Sequence, residues 1–386
     1  MDLADRIDTL THDQLRAAGG LKWTAFPDCI GAFVAEMDFG IAPAIADALQ
    51  AAIRDGRTGY LSTPLTRALA EACAHWHATR YGWMVESARI HPLPDVLTGL
   101  ELALRHLLPA GAPVVVPTPN YMPFLPLLRL LGHRILEVPM RDDDGCWRFD
   151  EDALDAAFAA GGRLLLLCNP HNPIGRVYTR TELERVSAIV ERHGARVFSD
   201  EIHAPLVFAP HRHVPYAAVG AAATRQAITA TSASKGWNIP GLKCAQLILT
   251  NDDDQARWRA MEPLAGHATA TPGVIANTVA YREGAGWLDA VLEYLAGNRA
   301  LVVRRARADL PGIDVREPEG TYLAWLDCRA LGPGPHAPRF RRAGVALTEG
   351  ADCGRGGEGF VRLNFAMPRP LLDEALTRMA RVAAPS

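Results

Sequence analysis

Apolar side chains recur at helical spacing over residues 44–54 and 65–81, and again over 96–108. The texture then shortens. Brief apolar runs bounded by turn residues follow at 114–116, 134–138, 164–167, 197–198, 228–229 and 245–249. With helical segments such as 181–193 between them, these runs predict βαβ units and a sheet covered on both faces. Thr179 reads as an N-cap, with Glu182 completing a capping box. After about residue 285 the pattern changes again. A long helix over 287–308 ends at Pro311-Gly312, strands are predicted at 321–327 and 359–365, and a last helix runs over about 370–382. The Gly/Pro-rich stretches 331–338 and 350–359 read as surface loops. The expected fold is α/β, with a mostly parallel central sheet in a large domain and a smaller α+β C-terminal domain. The divisions fall at 1–45 (an N-terminal segment packing on the small domain), 46–284 and 285–386.

Composition narrows the field without choosing a function. The chain has 386 residues, 49% of them apolar, which is enough to bury a full core. Its formal net charge is −3 and no Lys/Arg tract breaks the mixed-sign pattern, so no nucleic-acid or anionic-membrane partner is expected. The first ten residues lack the basic start and apolar run of a signal peptide. No apolar stretch is long enough to span a bilayer. The seven cysteines are dispersed with no CxxC pair, which reads as reduced thiols and a cytoplasmic address.

The candidate chemistry lies in four stretches. Residues 231–243 read TSASKGWNIPGLK, placing Lys235 among small hydroxyl residues after a short strand. A lysine amine that loses its proton under nearby positive charge or desolvation can condense with an aldehyde. Ser232 and Lys243 flank it, suited to a phosphate dianion; the plainer reading is a surface lysine in a Ser-rich loop. Asp200, in FSDEIH at 198–203, closes an apolar strand, where open α/β sheets place their sites. It could pair with a pyridinium nitrogen or simply cap a helix. Residues 168–175 read CNPHNPIG, a rigid loop in which Asn172 offers an amide to a phenolate oxygen; His171 reads as a solvated loop histidine. Residues 94–100 read PDVLTGL and open a helix whose N-terminal amides favour a phosphate, or serve only as an ordinary cap. Tyr121 could stack on a flat ring. Tyr60 lies in a loop between helices, and Arg362, a lone charge inside a strand, is either an edge-strand surface residue or a clamp on a carboxylate.

In this order the motifs resemble fold-type I pyridoxal 5'-phosphate (PLP) enzymes, the aspartate aminotransferase superfamily. The likeness is closest to the MalY/PatB group of cystathionine β-lyases, or C–S lyases. It runs from AEMDF at 35–39 through Gly59-Tyr60, 169–175, 199–203 and 232–243 to GTYLAWLD at 320–327 and 359–364. AEMDF and GTYLAWLD favour the lyases over general aminotransferases. The resemblance implies a large PLP-binding domain over 46–284, with Lys235 as the cofactor-linked lysine and the acid/base at Cα. Asp200 would pair the ring nitrogen, Asn172 the ring 3'-oxygen, and Tyr121 would stack on the ring. The amides of Val96 and Leu97, with Thr98, Ser232, Ser234 and Lys243, would hold the phosphate. Arg362 would bind the substrate carboxylate, and Tyr60 would reach in from the other subunit of a homodimer. His203 stands where other members place a tyrosine near the 3'-oxygen. Lys243 stands where many have arginine, and Thr98 where a small residue or proline is expected in this group.

The implied reaction is β-elimination from L-cystathionine or a related L-cysteine S-conjugate, giving a thiol, pyruvate and ammonia. An aminotransferase shares the same first half, and a specialised-metabolite C–S lyase or decarboxylating variant could use the same scaffold. A third class, a regulatory binding protein, finds no partner patch and no helix-turn-helix extension in the sequence.

Overall fold

The structure is a computed structural model that describes residues 3–143 and 145–383, with side chains at all of these positions except 262–264. The outermost residues of the expected first and third divisions, 1–2 and 384–386, lie outside the described residues.

Seven strands form the central sheet: β1 (Ile90–Leu93), β2 (Val114–Thr118), β3 (Ile135–Pro139), β4 (Leu164–Cys168), β5 (Arg196–Asp200), β6 (Ala227–Thr231) and β7 (Ala245–Leu249). Their spatial order is β1-β7-β6-β5-β4-β2-β3. The pairs among β2 to β6 are parallel, while β7 runs antiparallel to both β6 and β1. Alternation along the strands explains why the apolar runs are continuous. Val114, Val116, Leu164 and Leu166 pack into one core, and Val115, Leu165 and Leu167 into the other. Both faces are therefore dry, as a parallel sheet requires.

The helices fall where their periodicity places them, with ends moved by a residue or two. Those so placed are α1 (Pro43–Arg54), α2 (Thr63–Tyr81), α3 (Val96–Leu102), α4 (Arg180–Arg192), α6 (Ala285–Asp309) and α7 (Arg369–Ala383), with α5 (Thr271–Glu283) a further helix that the sequence pattern did not single out. The helix expected over 96–108 is α-helical only as far as Leu102; Ala103–Leu107 continues as a π-helical turn. At α4 the Glu182 carboxylate accepts from the Thr179 amide at 2.8 Å and the Thr179 hydroxyl accepts from the Glu182 amide at 3.3 Å, closing the expected capping box.

A second, four-stranded sheet follows α6, from β8 (Asp314–Val315), β9 (Leu323–Asp327), β10 (Thr348–Glu349) and β11 (Phe360–Asn364), in the order β8-β9-β11-β10. The start of the chain is sewn to this C-terminal part, by a separate two-stranded pairing and by a bond to β11. Ile30 and Gly31 pair in parallel with Val345 and Ala346, and the Ala32 carbonyl accepts from the Asn364 amide at 2.8 Å. Beneath this segment Lys22 and Asp38 form a buried ion pair at 2.8 Å, and Asp38 also accepts from the Trp23 indole at 2.7 Å. The segment from Phe33 to Met37 is thus laid across the carboxyl ends of the central strands.

Candidate active site

A cavity of about 480 Å³ opens at those strand ends, within the range of small-molecule sites. The loops that follow β2, β4, β5 and β6 contribute to it: Tyr121 after β2, Asn172 after β4, Asp200 at the end of β5 with His203 beyond it, and Ser232, Ser234, Lys235, Pro240 and Lys243 after β6. Val96 and Leu97 bring the first turn of α3, and Arg362 enters from β11. Arg362 is not an edge residue. β11 lies between β9 and β10, and the arginine is 2% exposed.

The Lys235 Nζ donates to the Ala35 carbonyl at 2.7 Å. Burial, with Arg362 and Lys243 adding repulsion, outweighs the carboxylates of Glu36 and Asp200 and pulls its ammonium down to about 8. It is a half-buried, weakly basic amine rather than a surface lysine. Burial pushes the Asp200 carboxyl up to about 7, against the Ile202 amide that donates to it at 3.1 Å and the charge of Lys235. That bond is an Asx turn, not a helix cap. With no cation in contact among the described residues, this buried acid is ready to take one.

Arg362 shows the same readiness with opposite charge. Its Nη1 donates to Asn172 Oδ1 at 2.9 Å; its Nη2 donates to the Phe33 carbonyl at 2.6 Å and to the Thr348 hydroxyl at 3.2 Å. No carboxylate meets it among the described residues, and its Nε is buried without a partner. A guanidinium desolvated among neutral groups calls for an anion. The bond to Asn172 occupies that amide's oxygen and leaves its NH₂ to donate into the cavity. His203 also carries a buried, unpartnered Nδ1; burial, then Lys235 and Arg362, hold its ring neutral.

These features fit PLP: an amine for its aldehyde, an acid for its ring nitrogen, Asn172 and His203 for its phenolate oxygen, and a ring-bearing wall at Tyr121. The phosphate end fits with more of its groups already engaged. Ser232 donates to the Cys244 carbonyl at 2.7 Å and accepts from the Ser234 amide at 2.9 Å. Lys243 pairs with Asp95 at 3.1 Å, and burial of Asp95 is outweighed by bonds from Thr98 and Lys243, which hold its carboxyl low. Lys243 adopts a left-handed backbone conformation, φ 49°, at the end of the turn that presents it.

Two expected members lie elsewhere. Thr98 is not on the cavity wall; its amide and hydroxyl both donate to Asp95 Oδ1, at 2.8 and 2.9 Å. Tyr60 is 89% exposed and stacks on His267 at 5.6 Å, outside the cavity. His171, read as a solvated loop residue, is instead buried, with Nε2 2.9 Å from the Pro119 carbonyl and Nδ1 2.6 Å from the Tyr178 hydroxyl. The loop folds inward because the His171 amide bonds back to the Arg176 carbonyl at 2.8 Å. It thereby ties the Asn172 loop to the Tyr121 loop.

Sequence reading missed the backbone carbonyls of Phe33 and Ala35, which no side-chain motif announces. It also missed Tyr322, whose hydroxyl donates to the same Ala35 carbonyl at 2.9 Å. Gly320 permits that approach, since a Cβ there would lie 2.8 Å from Val177 and 2.9 Å from the Leu206 carbonyl.

The chain matches the family "Aminotransferase class I and II" over residues 28–379. A Mycobacterium tuberculosis protein provisionally named cystathionine beta-lyase is 41% identical, with 97% of both chains covered. Cystathionine beta-lyase PatB of Bacillus subtilis is 32% identical over 91% of this chain and 92% of its own. Cystalysin of Treponema denticola, a crystal structure that contains pyridoxal 5'-phosphate, superposes with a TM-score of 0.90 at 28% identity, covering 97% of this chain and 98% of that one. The wall of ring-binding, acid and cationic groups has its counterpart in a whole-length sequence match: this chain belongs to the aminotransferase class I and II family, fold type I, in its MalY/PatB-like group.

Proposed function

We propose that the protein is a PLP-dependent C–S β-lyase that cleaves L-cystathionine or a related L-cysteine S-conjugate to a thiol, pyruvate and ammonia. The observation that carries this reading is the placement of a weakly basic Lys235 in one cavity with Asp200 and the carboxylate-free Arg362. The names of the relatives support the same reaction.

PLP, when bound, supplies an electron sink in conjugation with the substrate's Cα. Arg362 takes the substrate carboxylate, held in its plane by Phe33, Asn172 and Thr348, and so fixes which Cα bond faces the ring. Lys235 Nζ removes the Cα proton. The Ala35 carbonyl and the Tyr322 hydroxyl mark where that amine rests when it is free. Asp200 would hold a proton at the ring nitrogen, Asn172 and His203 would donate to the ring oxygen, and Tyr121 would pack against the ring. The electron pair left by that proton's removal forms the Cα–Cβ double bond as the β-carbon–sulfur bond breaks; the thiolate takes up a proton to leave as the thiol, and water converts the remaining three-carbon unit to pyruvate and ammonia. Val96, Leu97, Ser232, Ser234 and Lys243 hold the phosphate, with Thr98 acting through Asp95.

The proposal extends to assembly and address. Tyr60, exposed and remote from its own chain's cavity, serves the site of a second copy in a homodimer. The seven cysteines, all unpaired and buried, support a reducing, cytoplasmic compartment. Among the described residues no helix is long and apolar enough to cross a membrane. The large domain at 46–284 and the smaller one at 285–386, with 1–45 packed on the latter, are part of the same reading.

The test is pyruvate and thiol release from L-cystathionine by the holoenzyme with no 2-keto acid present. Release at a steady rate is expected. Strict dependence on an added 2-keto acid would replace the lyase with an aminotransferase.

A further inference from the structure

The space around Arg362 does not end at Arg362. A second cavity of about 330 Å³ shares Phe33, Met122 and Thr348 with the first. Thr348 stands at the join, its hydroxyl accepting from Arg362 Nη2 at 3.2 Å and donating to the Phe33 carbonyl at 3.1 Å. The near part of this second cavity is apolar. Phe26 and Phe33 meet edge to face at 5.1 Å, with Leu347 beside them.

The far part is charged, with both signs. The Arg341 guanidinium lies over Phe26, 5.1 Å from the ring centroid, and makes no ion pair among the described residues. An arginine stacked in this way keeps its N–H edge free for a carboxylate. Asp352, exposed, likewise has no ion-pair partner among the described residues, and Glu349 gives one oxygen to the Ala337 amide at 2.8 Å and keeps the other. A short apolar stem followed by a free cation and two carboxylates is the complement of a methylene chain that ends in an ammonium and a carboxylate.

We infer that this second cavity receives the leaving-group half of the substrate, and that this half ends in an α-amino-acid group. Its carboxylate sits on Arg341 and its ammonium at Asp352 and Glu349, with the thioether stem between Phe33 and Met122. The inference rests on the C–S lyase reading for which half departs, but binding at Arg341 does not require the bond to break.

The experiment measures both binding and turnover on the holoenzyme. Three probes share the cysteine half: L-cystathionine, S-(3-carboxypropyl)-L-cysteine and S-butyl-L-cysteine. Kd comes from the change in cofactor absorbance on mixing, and turnover from pyruvate. Arg341→Gln is expected to narrow the preference for the first two probes over S-butyl-L-cysteine by about tenfold in Kd, the worth of one charge-assisted contact. Asp352→Asn is expected to narrow only the preference for L-cystathionine over the carboxypropyl probe. Because each result is a ratio within one variant, a general loss of fold or cofactor does not imitate it. Ratios unmoved by Arg341→Gln, or a wild-type enzyme that binds the butyl probe as tightly as L-cystathionine, would overturn the subsite. No pyruvate from any probe, with the Kd ratios behaving as described, would remove the lyase reading and leave the subsite standing.

Discussion

Lys235 has a side chain that is ordinarily charged far above neutral pH, here drawn down to about 8 chiefly by burial. Only the uncharged amine attacks an aldehyde. The rate at which cofactor-free protein captures added PLP should therefore climb as pH rises to about 8 and level off above it. Stopped-flow absorbance across pH 6 to 10 checks this; a profile still climbing near the ordinary lysine value of 10.5 would mean the amine is solvated in the working protein. At this scale the sequence was informative about side chains and about the amides that open α3, and silent about the carbonyls of the crossing segment. Lys235, Asp200, Asn172, Tyr121 and Arg362 were legible because each is an unusual residue for its local setting, such as a charge inside a strand. The Ala35 carbonyl that holds the lysine was not legible, since every residue has a carbonyl and only the fold decides which one arrives. The family resemblance implies Thr98 as a phosphate ligand. Its hydroxyl was already committed to Asp95 by the spacing that makes Asp95 a good cap.

Elements were legible in proportion to how much of their character is local. The buried strands β2, β4 and β7 and helices α4 and α6 follow from apolar runs, caps and period. The two-residue strand at Ile30–Gly31 has no local signature, because its partner Val345–Ala346 is more than three hundred residues away. Yet that segment carries the carbonyls that orient Arg362 and Lys235. Its anchor is the ion pair of Lys22 and Asp38, with side chains only 2% and 4% exposed. Burial raises the Asp38 carboxyl despite Lys22 and Trp23, so the charge there is held at a cost. Asp38→Ala leaves the ammonium buried and uncompensated, and a loss of about 3–5 kcal/mol is expected from the change in denaturant midpoint. If the segment acts as a strap over the site, the same variant should also raise KM for L-cystathionine more than it lowers kcat. Asp38→Ala with wild-type stability would mean the lysine escapes to water.

At the scale of the whole molecule, Tyr60 poses the sharpest question, since it is almost fully exposed while the other Phe, Tyr and Trp side chains among the described residues are buried or half-buried. In the proposed homodimer it completes the neighbour's cavity. Tyr60→Ala and Lys235→Ala proteins should each be inactive alone. Denatured together and refolded, they should regain about a quarter of wild-type activity, since half the random dimers hold one intact site of two. No recovery in mixtures that sediment as dimers would confine each active site to one chain. The carbonyls of Ala32, Phe33, Val34 and Glu36 are stitched to β11 at the far end of the chain. On the ribosome, the strands that frame the cofactor, β2 through β7, emerge well before Arg362 does. A nascent chain can thus present Lys235 and Asp200 while the grip on the amino-acid carboxylate is still unmade, so that chemistry is withheld until translation is nearly done.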